Sequence, residues 1–485
     1  MAKSAKTFMK QLQEKCPEEL LVINEGPLKP HENECSAIVW QLKRIGRMPA
    51  TIFTNLETIS GKKWPGGGQW QQEGTYTRLA IACDLPPEKW NPEGVISELS
   101  DRLNHPIKSV AISEGEAPIK HTVVREDKVS FWDLPLYRKD SKDARPAWIC
   151  GLAIGKHPET GRYNLSWHRH HVHGPKRSGA RLQFRHLWQY LKRYKELGHK
   201  EMPMAWIFGA HPLVMVGGAA RPGYDVDEYD VIGGLLKEPF RLVPSATWGK
   251  DFMIPADAEL VVEGYLHTTE RDFNGPWVDY MRYYSPQTLE PAFRPTAFNY
   301  QENALVEQNW VGHNTLHGEV GYSITLTKDL KQKFPAVRVA LRVQPYTAVV
   351  QFKPDHPGEA VRLAHHALIP MGDFIKNVIV VDEDINPYDL NDVLWAVGTR
   401  VNANTGQVQI LQNLNANRHD PASMEDMLVG GILIDATKPA GKPFPEVGRP
   451  EDEIIKRLAI DKILGKKVID KIPQGGGSKI TGMGI

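Results

Sequence analysis

Between residues 148 and 306 the chain alternates short apolar runs with turns, and one amphipathic segment interrupts them. The β-like runs cover 148–155, 163–173, 204–209, 213–216, 259–267 and 297–306. Strands this short bury nothing alone, so they must pair into a sheet that closes on itself or stacks on another. The interrupting segment, 181–198, places Phe184, Leu187, Trp188, Leu191 and Tyr194 at helical spacing. Many strands around one helix predict a barrel-like or sandwich α+β domain.

The flanks follow other patterns. Towards the N-terminus, residues 4–15 read as a helix, Leu20 to Ile23 as a strand, 31–46 as a helix and Ala50 to Phe53 as a strand. Residues 61–68, Gly-Lys-Lys-Trp-Pro-Gly-Gly-Gly, carry turn chemistry, and 94–104 reads as a helix. Pro135 and the polar run 138–146 mark a boundary. Beyond about 335, Val337–Val343 and Thr347–Phe352 read as paired strands. A helix (357–369), a buried strand (376–381) and a second helix (389–401) complete a βαβ-type unit with an expected right-handed crossover. A helix-like segment at 450–464 leads to a Gly-rich tail, 475–478, which either frays or docks on a neighbour. The expected organisation is a small α/β region over 1–110, a β-rich domain over 111–320, an α/β domain over 321–440 and a helix with tail over 441–485.

The formal charge of +1 over 485 residues excludes a globally basic binder of nucleic acid or membrane. Locally the balance differs. Residues 168–200 carry nine Lys and Arg against one acid, Glu196, together with His168, His170, His171, His173, His186 and His199. Arg181, Arg185 and His186 are expected at a helix start, where unpaired N–H groups and basic charge suit a phosphate. In the strand before it, Asn164, Ser166, His168 and His170 alternate with Trp167, Arg169, His171 and His173. A zinc pair at His168 and His170, a solvated basic face and a nucleic-acid groove are the alternatives from the residues alone. Four scattered cysteines, Cys16, Cys35, Cys83 and Cys150, argue against a disulfide framework or thiolate zinc site. With no signal-peptide pattern and no apolar run near ~18 residues, a soluble cytoplasmic protein is expected. Asp382-Glu-Asp384 reads as the acidic end of a buried strand, and His365-His366 as a helix surface or interface.

Asn164-Leu-Ser-Trp-His-Arg169 resembles the Asn-x4-Arg segment of the UbiD family of prenylated-FMN-dependent decarboxylases. The resemblance continues, in order, through Arg185-His186-Leu-Trp-Gln, Glu228-Tyr-Asp-Val-Ile-Gly-Gly234, Glu263-Gly264 and Asn274-Gly-Pro-Trp-Val-Asp279. It ends with Val378-Ile-Val-Val-Asp-Glu-Asp384 and Asn391-Asp-Val-Leu-Trp395, and covers residues from about 110 to 445. The resemblance implies a split β-barrel flavin-binding domain and a C-terminal α/β oligomerisation domain, with dimers or hexamers and a hinge near 310–335. It implies prenylated FMN supplied by a partner flavin prenyltransferase, with Mn2+ bridging its phosphate and K+ nearby. Asn164, His186 and Glu228 match the metal-ligand positions. Ser166, Trp167, His168, Arg169 and Arg185 fall in the cofactor segment. Gly217 and Gly218, following a strand that ends at Val216, would let backbone carbonyls approach the phosphate and K+.

The resemblance also implies an arginine between two acids. Arg169 matches the arginine and would pair with a substrate carboxylate. Asp279 matches the second acid, a proton donor whose pKa burial would raise. The first acid, commonly Glu, is here Asn274, and Asp272 or Glu270 would have to replace its charge. A lysine common in the family is replaced by Gly431, which leaves a wider pocket and a larger acyl substrate, such as an aryl-coenzyme A thioester, open. The implied activity is reversible, non-oxidative decarboxylation of an aromatic or α,β-unsaturated acid, releasing CO2. The alternatives are an FMN-dependent oxidoreductase and a non-catalytic subunit.

Overall fold

The computed structural model describes residues 2–313, 316–423, 427–448 and 450–465. Its first element, α1 (Ala5–Lys15), starts at a capping box in which the Ser4 side chain accepts from the Thr7 N–H and Thr7 accepts from the Ser4 N–H. Strand β1 (Leu20–Ile23) lies parallel to β2 (Ala50–Phe53), with α2 (Glu34–Arg44) between them in the chain. β2 then pairs antiparallel with β3 (Gly67–Trp70), so the expected turn at 61–68 ends in a strand. Glycine is required there: a Cβ on Gly67 would meet the Phe53 carbonyl at 2.7 Å. Helices α3 (Tyr76–Ala82) and α4 (Pro92–Arg102) are capped by Thr75 and Asn91.

The central region opens with β4 (Val110–Ala111) and β5 (Thr122–Arg125). The long antiparallel pair β6 (Ala147–Lys156) and β7 (Tyr163–Gly174) follows, then β8 (Arg177–Arg181). Helix α5 (His186–Glu196) leads to β9 (Glu201–Ile207), then helices α6 (Pro212–Gly217) and α7 (Glu228–Leu236). The hairpin β10 (Arg241–Ser245) and β11 (Gly249–Pro255) precedes β12 (Leu260–Asn274). A two-stranded ribbon, β13 (Trp277–Val278) with β14 (Tyr284–Ser285), separates β12 from β15 (Thr288–Tyr300), and β16 (Leu305–Glu307) returns to the first sheet beside β3. The main sheet runs β12-β9-β6-β7-β8-β15-β5, and β12 also pairs with β15, which closes six of the strands into a barrel and leaves β5 at the edge. Trp148, Trp206, Phe293 and Phe298 are buried in its core.

Four local expectations change here. Residues 213–216 are helical rather than extended: Pro212 sits in the first turn and His211 Nδ1 accepts the Leu213 N–H. Residues 297–306 split between the end of β15 and β16. Helix α5 starts at His186, not 181, so Arg181 closes strand β8 opposite Arg169. Phe184 lies before the helix and is exposed, while Leu187, Tyr190 and Leu191 form the buried stripe.

The C-terminal region begins with α8 (Leu316–Lys333), which occupies most of the expected hinge; its Val320, Ile324 and Leu330 are buried. Beyond it a five-stranded sheet has the order β17-β18-β19-β21-β20. Its strands are β17 (Val337–Gln344), β18 (Tyr346–Phe352), β19 (Ile375–Val381), β20 (Val408–Asn415) and β21 (Leu428–Ala436). β18 and β19 are parallel and joined through α9 (Glu359–Met371), as the βαβ pattern requires. Helix α10 (Leu390–Arg400) ends at Arg400, whose Nη1 lies 2.6 Å from Asp382 and 2.9 Å from Asp384; the acidic run is therefore an ion-pair cluster. Helices α11 (Asp452–Arg457) and α12 (Ile460–Leu464) end the described chain, and the Gly-rich segment 475–478 lies outside the described residues. Among the described residues, no helix is long and apolar enough to cross a membrane.

Candidate active site

Two cavities meet between the barrel and the C-terminal region. The larger, about 820 Å3, reaches Asn164, Arg185, His186, Arg221 and Glu228. The smaller, about 130 Å3, is lined by Arg169, Arg181, Asp279 and His419. Trp167, His168, Gln183, Ala219, Tyr322 and Phe374 line both, so the spaces are contiguous. Strand β7 runs along both: Asn164, Ser166 and His168 face the larger cavity and Arg169 the smaller. His168, Arg169, His170 and His171 are all buried, which excludes a solvated basic face.

The imidazoles of β7 are already engaged. His168 donates from Nδ1 to the Arg181 carbonyl at 2.9 Å, and its Nε2 lies 2.9 Å from Ser166 Oγ. His170 Nδ1 is 3.0 Å from Ser178 Oγ. Burial pushes His168 down to about 4 and His170 to about 3, so both are neutral near pH 7. Both ring nitrogens of His168 are engaged, which leaves it none for a zinc pair with His170. Trp167 donates its indole N–H to the Met215 carbonyl at 3.0 Å, which fixes the ring between the cavities.

Asn164, His186 and Glu228 come together from β7, α5 and α7. Glu228 Oε1 lies 2.5 Å from Asn164 Nδ2 and 3.8 Å from His186 Nδ1. The other Glu228 oxygen accepts the Leu165 N–H. Burial raises the Glu228 pKa against the pull of His186, so its ionised form needs a positive partner. Turning the Asn164 amide over would aim its oxygen at the same point. Carboxylate, amide oxygen and neutral imidazole make a donor set suited to a hard divalent ion, and these residues fit one. Arg185 at the start of α5 pairs with Asp373 and stacks 4.3 Å from the Phe374 ring centre. Gly218 lines the large cavity, but Gly217 and Gly218 belong to a helix end. Cβ atoms there would meet Ile232 and Leu152 at 2.2 Å, and the Gly217 carbonyl accepts the Ala220 N–H. These two glycines allow close packing at a helix end, where a strand ending at Val216 was expected.

Three side chains hold Arg169. Its Nε donates to Asn274 Oδ1 at 2.9 Å, and its Nη1 to Asp279 and to Ser285 Oγ at 3.4 Å, while Nη2 is buried without an acceptor. Asn274 also donates from Nδ2 to the Gly179 carbonyl at 2.9 Å. An ionised acid at that position would face the carbonyl oxygen with no proton to give, so the neutral amide fits this backbone. Neither suggested substitute supplies the missing charge: Asp272 is held by Arg177 and Arg294, and Glu270 by Arg294.

Asp279 departs from expectation. Burial would raise its pKa, but His419, Arg169 and Arg181 outweigh burial and hold the carboxyl well below the usual range. The carboxylate is therefore ionised before substrate arrives. Burial keeps His419 neutral despite Asp279, so its Nδ1–H donates across 3.0 Å to the carboxylate.

Family models of two domains match the chain. The 3-octaprenyl-4-hydroxybenzoate carboxy-lyase Rift-related domain covers residues 110–314, and the corresponding C-terminal domain covers residues 315–436. The chain belongs to the UbiD family. Members of the UbiD family are carboxy-lyases, and a phenolic acid decarboxylase of Bacillus subtilis (strain 168) is 26% identical over 439 residues, 87% of this chain and 90% of that protein. The UbiD-class enzyme HmfF from Pelotomaculum thermopropionicum, in complex with FMN, superposes with a TM-score of 0.82 at 26% identity, covering 95% of this chain and 100% of that one. An evolved dimeric form of HmfF in complex with prFMN gives a TM-score of 0.79 at 25% identity over 94% and 99% of the two chains.

Within this UbiD-family chain, sequence reasoning missed the C-terminal contribution to the site. Residues 417–420, between β20 and β21, each reach a partner: Asn417 bonds Asp373, Arg418 bonds Glu290, His419 bonds Asp279 and Asp420 bonds Lys376. Glu290, on β15 two residues beyond the Asn274–Thr288 pair, was missed as well. The run Asn-Arg-His-Asp was a usable signal, because four polar side chains in one loop need four partners.

Proposed function

We propose that the chain is a prenylated-FMN-dependent decarboxylase that removes CO2, reversibly, from an aromatic carboxylic acid. One observation carries the proposal: a buried guanidinium with a free N–H, fixed between Asn274 and Asp279, sits where a small cavity joins a larger one that contains a divalent-ion donor set. The relatives named phenolic acid decarboxylase and the prFMN complex of HmfF support it.

Asn164, His186 and Glu228 would hold Mn2+ against the cofactor phosphate. A K+ ion beside it and a partner flavin prenyltransferase that makes the cofactor belong to the same proposal. When bound, the modified flavin supplies the electron sink that decarboxylation at an unsaturated carbon needs. The chain's own residues do the rest. The substrate ring enters the small cavity, whose volume of about 130 Å3 falls below the ~300 Å3 of drug-sized pockets, and this favours a one-ring acid over a coenzyme A thioester lying wholly inside. Arg169 Nη2 takes the carboxylate. Trp167, Trp277 and Phe374 wall out water. Asp279 begins ionised; pairing of Arg169 with the substrate carboxylate weakens the field holding it so, and its pKa rises. Asp279 then takes up a proton from solvent as substrate binds and delivers it to the carbon that CO2 leaves. Assembly as a homo-oligomer completes the proposal.

The test is direct. The protein is co-expressed with a flavin prenyltransferase, the extracted flavin is identified by mass spectrometry, and CO2 release and ring hydrogen–deuterium exchange are followed over a panel of aromatic acids. Bound prenylated FMN with CO2 release supports the proposal. Unmodified FMN with nicotinamide oxidation, or no flavin at all, overturns it.

A further inference from the structure

We propose that Arg181 is a second carboxylate-binding residue, acting with Arg169 on the same substrate group; this rests on the decarboxylase proposal. Arg169 and Arg181 are cross-strand partners on β7 and β8, and both line the small cavity. Directly opposed residues put their side chains on the same face of a sheet. Like charges there repel, so the arrangement needs an anion to justify it.

The partners of Arg181 are too few. Its nearest carboxylate oxygen, on Glu290, is 4.0 Å away, and the same Glu290 oxygen binds Arg418 at 2.7 Å. Its remaining contacts, to Thr288 Oγ1 and the Arg418 carbonyl, are both 3.4 Å long. Arg181 Nε is buried with no acceptor, and so is Arg169 Nη2. A guanidinium this deeply buried normally fills its fork with oxygen. The two unfilled N–H groups belong to adjacent side chains on one cavity wall.

The charges agree with this geometry. At this end of the cavity, Arg169, Arg181 and Arg418 face Asp279 and Glu290, while His419 is neutral. On the opposite wall Arg342 and Glu319 close on each other at 2.7 Å. One positive charge remains, and Asn274 leaves it there, since an ionised acid in its place would cancel it. One net positive charge with two free N–H groups fits one monoanion with two oxygens, a carboxylate. Burial and the neighbouring Arg169 and Arg418 lower Arg181 to about 9, which a bound carboxylate would reverse.

Paired binding of benzoate and benzamide to the holoenzyme tests the proposal. The two share a ring and differ in charge. Arg181→Gln should weaken benzoate by about tenfold or more, the scale of a hydrogen bond to a charged group, and leave benzamide within about twofold. Asn274→Asp adds the cancelling charge and should weaken benzoate selectively as well. An R181Q protein with unchanged flavin spectrum and melting temperature that binds benzoate like the parent overturns the proposal. Equal loss of both ligands also overturns it, because that is cavity collapse. If R181Q does not fold, parental benzoate affinity in N274D overturns it. The decarboxylase proposal is judged separately on the unsubstituted enzyme. Selective benzoate binding without CO2 release from any acid overturns that proposal and keeps the anion site. CO2 release with R181Q unchanged in benzoate binding does the reverse.

Discussion

His419 Nδ1 lies 3.0 Å from Asp279 Oδ2, although one residue comes from a loop of the C-terminal sheet and the other from the ribbon beside the barrel. The C-terminal loop therefore adds its own hold on a carboxylate that Arg169 and Arg181 also keep ionised. Replacing His419 with Phe removes the Nδ1–H and leaves Arg169, Arg181 and the Tyr280 N–H on Asp279. The depressed Asp279 pKa then moves up towards the usual carboxylate range. The acidic limb of kcat/KM, which reports the free enzyme, should move to higher pH in H419F. An unmoved limb with normal flavin content would show that His419 does not act through Asp279.

Asp279→Asn separates chemistry from stability. As the proposed proton donor, Asp279 should contribute roughly 10²–10⁴-fold to CO2 release and to ring hydrogen–deuterium exchange. Its loss also leaves Arg169 without its carboxylate partner, at a cost of about 3–5 kcal/mol for a buried pair broken on one side. Benzoate can replace that charge. D279N should melt lower than the parent and regain more on benzoate addition than the parent gains. Equal benzoate shifts in the two proteins would contradict the charge accounting.

The sequence reads well where one element carries the signal. The alternation along β7 and the helical spacing of Leu187 and Leu191 follow from backbone periodicity, so they are local. Asn164, Arg169, His186, Glu228 and Asp279, each named from an ordered segment of the resemblance, all line the two adjoining cavities. What escaped depends on contact between distant elements. Arg181 was assigned to a helix because basic residues continue smoothly into α5, and only pairing with β7 shows that it ends a strand. Asp279 was expected to hold its proton because burial is legible in an apolar context, whereas His419, 140 positions later in the numbering, is not. The run 213–216 reads as a strand on apolar content alone, and Pro212 with His211 makes it helical.

Glu228→Gln tests the proposed metal site without opening the fold. The glutamine keeps an oxygen for the Leu165 N–H, so stability should change by no more than about 1 kcal/mol. It removes the only carboxylate of the Asn164–His186–Glu228 set, and a hard divalent ion depends on that charge. Metal analysis of E228Q should show manganese reduced at least about tenfold, with flavin content falling in parallel. Full manganese occupancy in E228Q would place the ion elsewhere.

Two sets of buried groups shape the pH dependence of stability, and they act in opposite directions. Glu73 and Glu259 are pushed by burial to about 7. A carboxyl with a raised folded-state pKa keeps its proton longer when folded, so it favours folding at low pH and loses that benefit between about 4.5 and 7. Histidines with depressed values act the other way. Burial lowers His168, His171 and His317 to about 4, and His170 and His211 to about 3. Below about 6.5 the unfolded chain protonates these rings before the folded protein does, at about 1.4 kcal/mol per histidine for each pH unit. Below about 6 the two sets oppose each other, and single substitutions separate them. His211 isolates one contribution. It accepts the Leu213 N–H at the start of α6, a role that asparagine also fills at a helix N-terminus. In urea titrations between about pH 4 and 6, His211→Asn should make the decline of unfolding free energy shallower by about 1.4 kcal/mol per pH unit. Parallel declines in parent and variant would mean that His211 protonates equally in both states, against its burial.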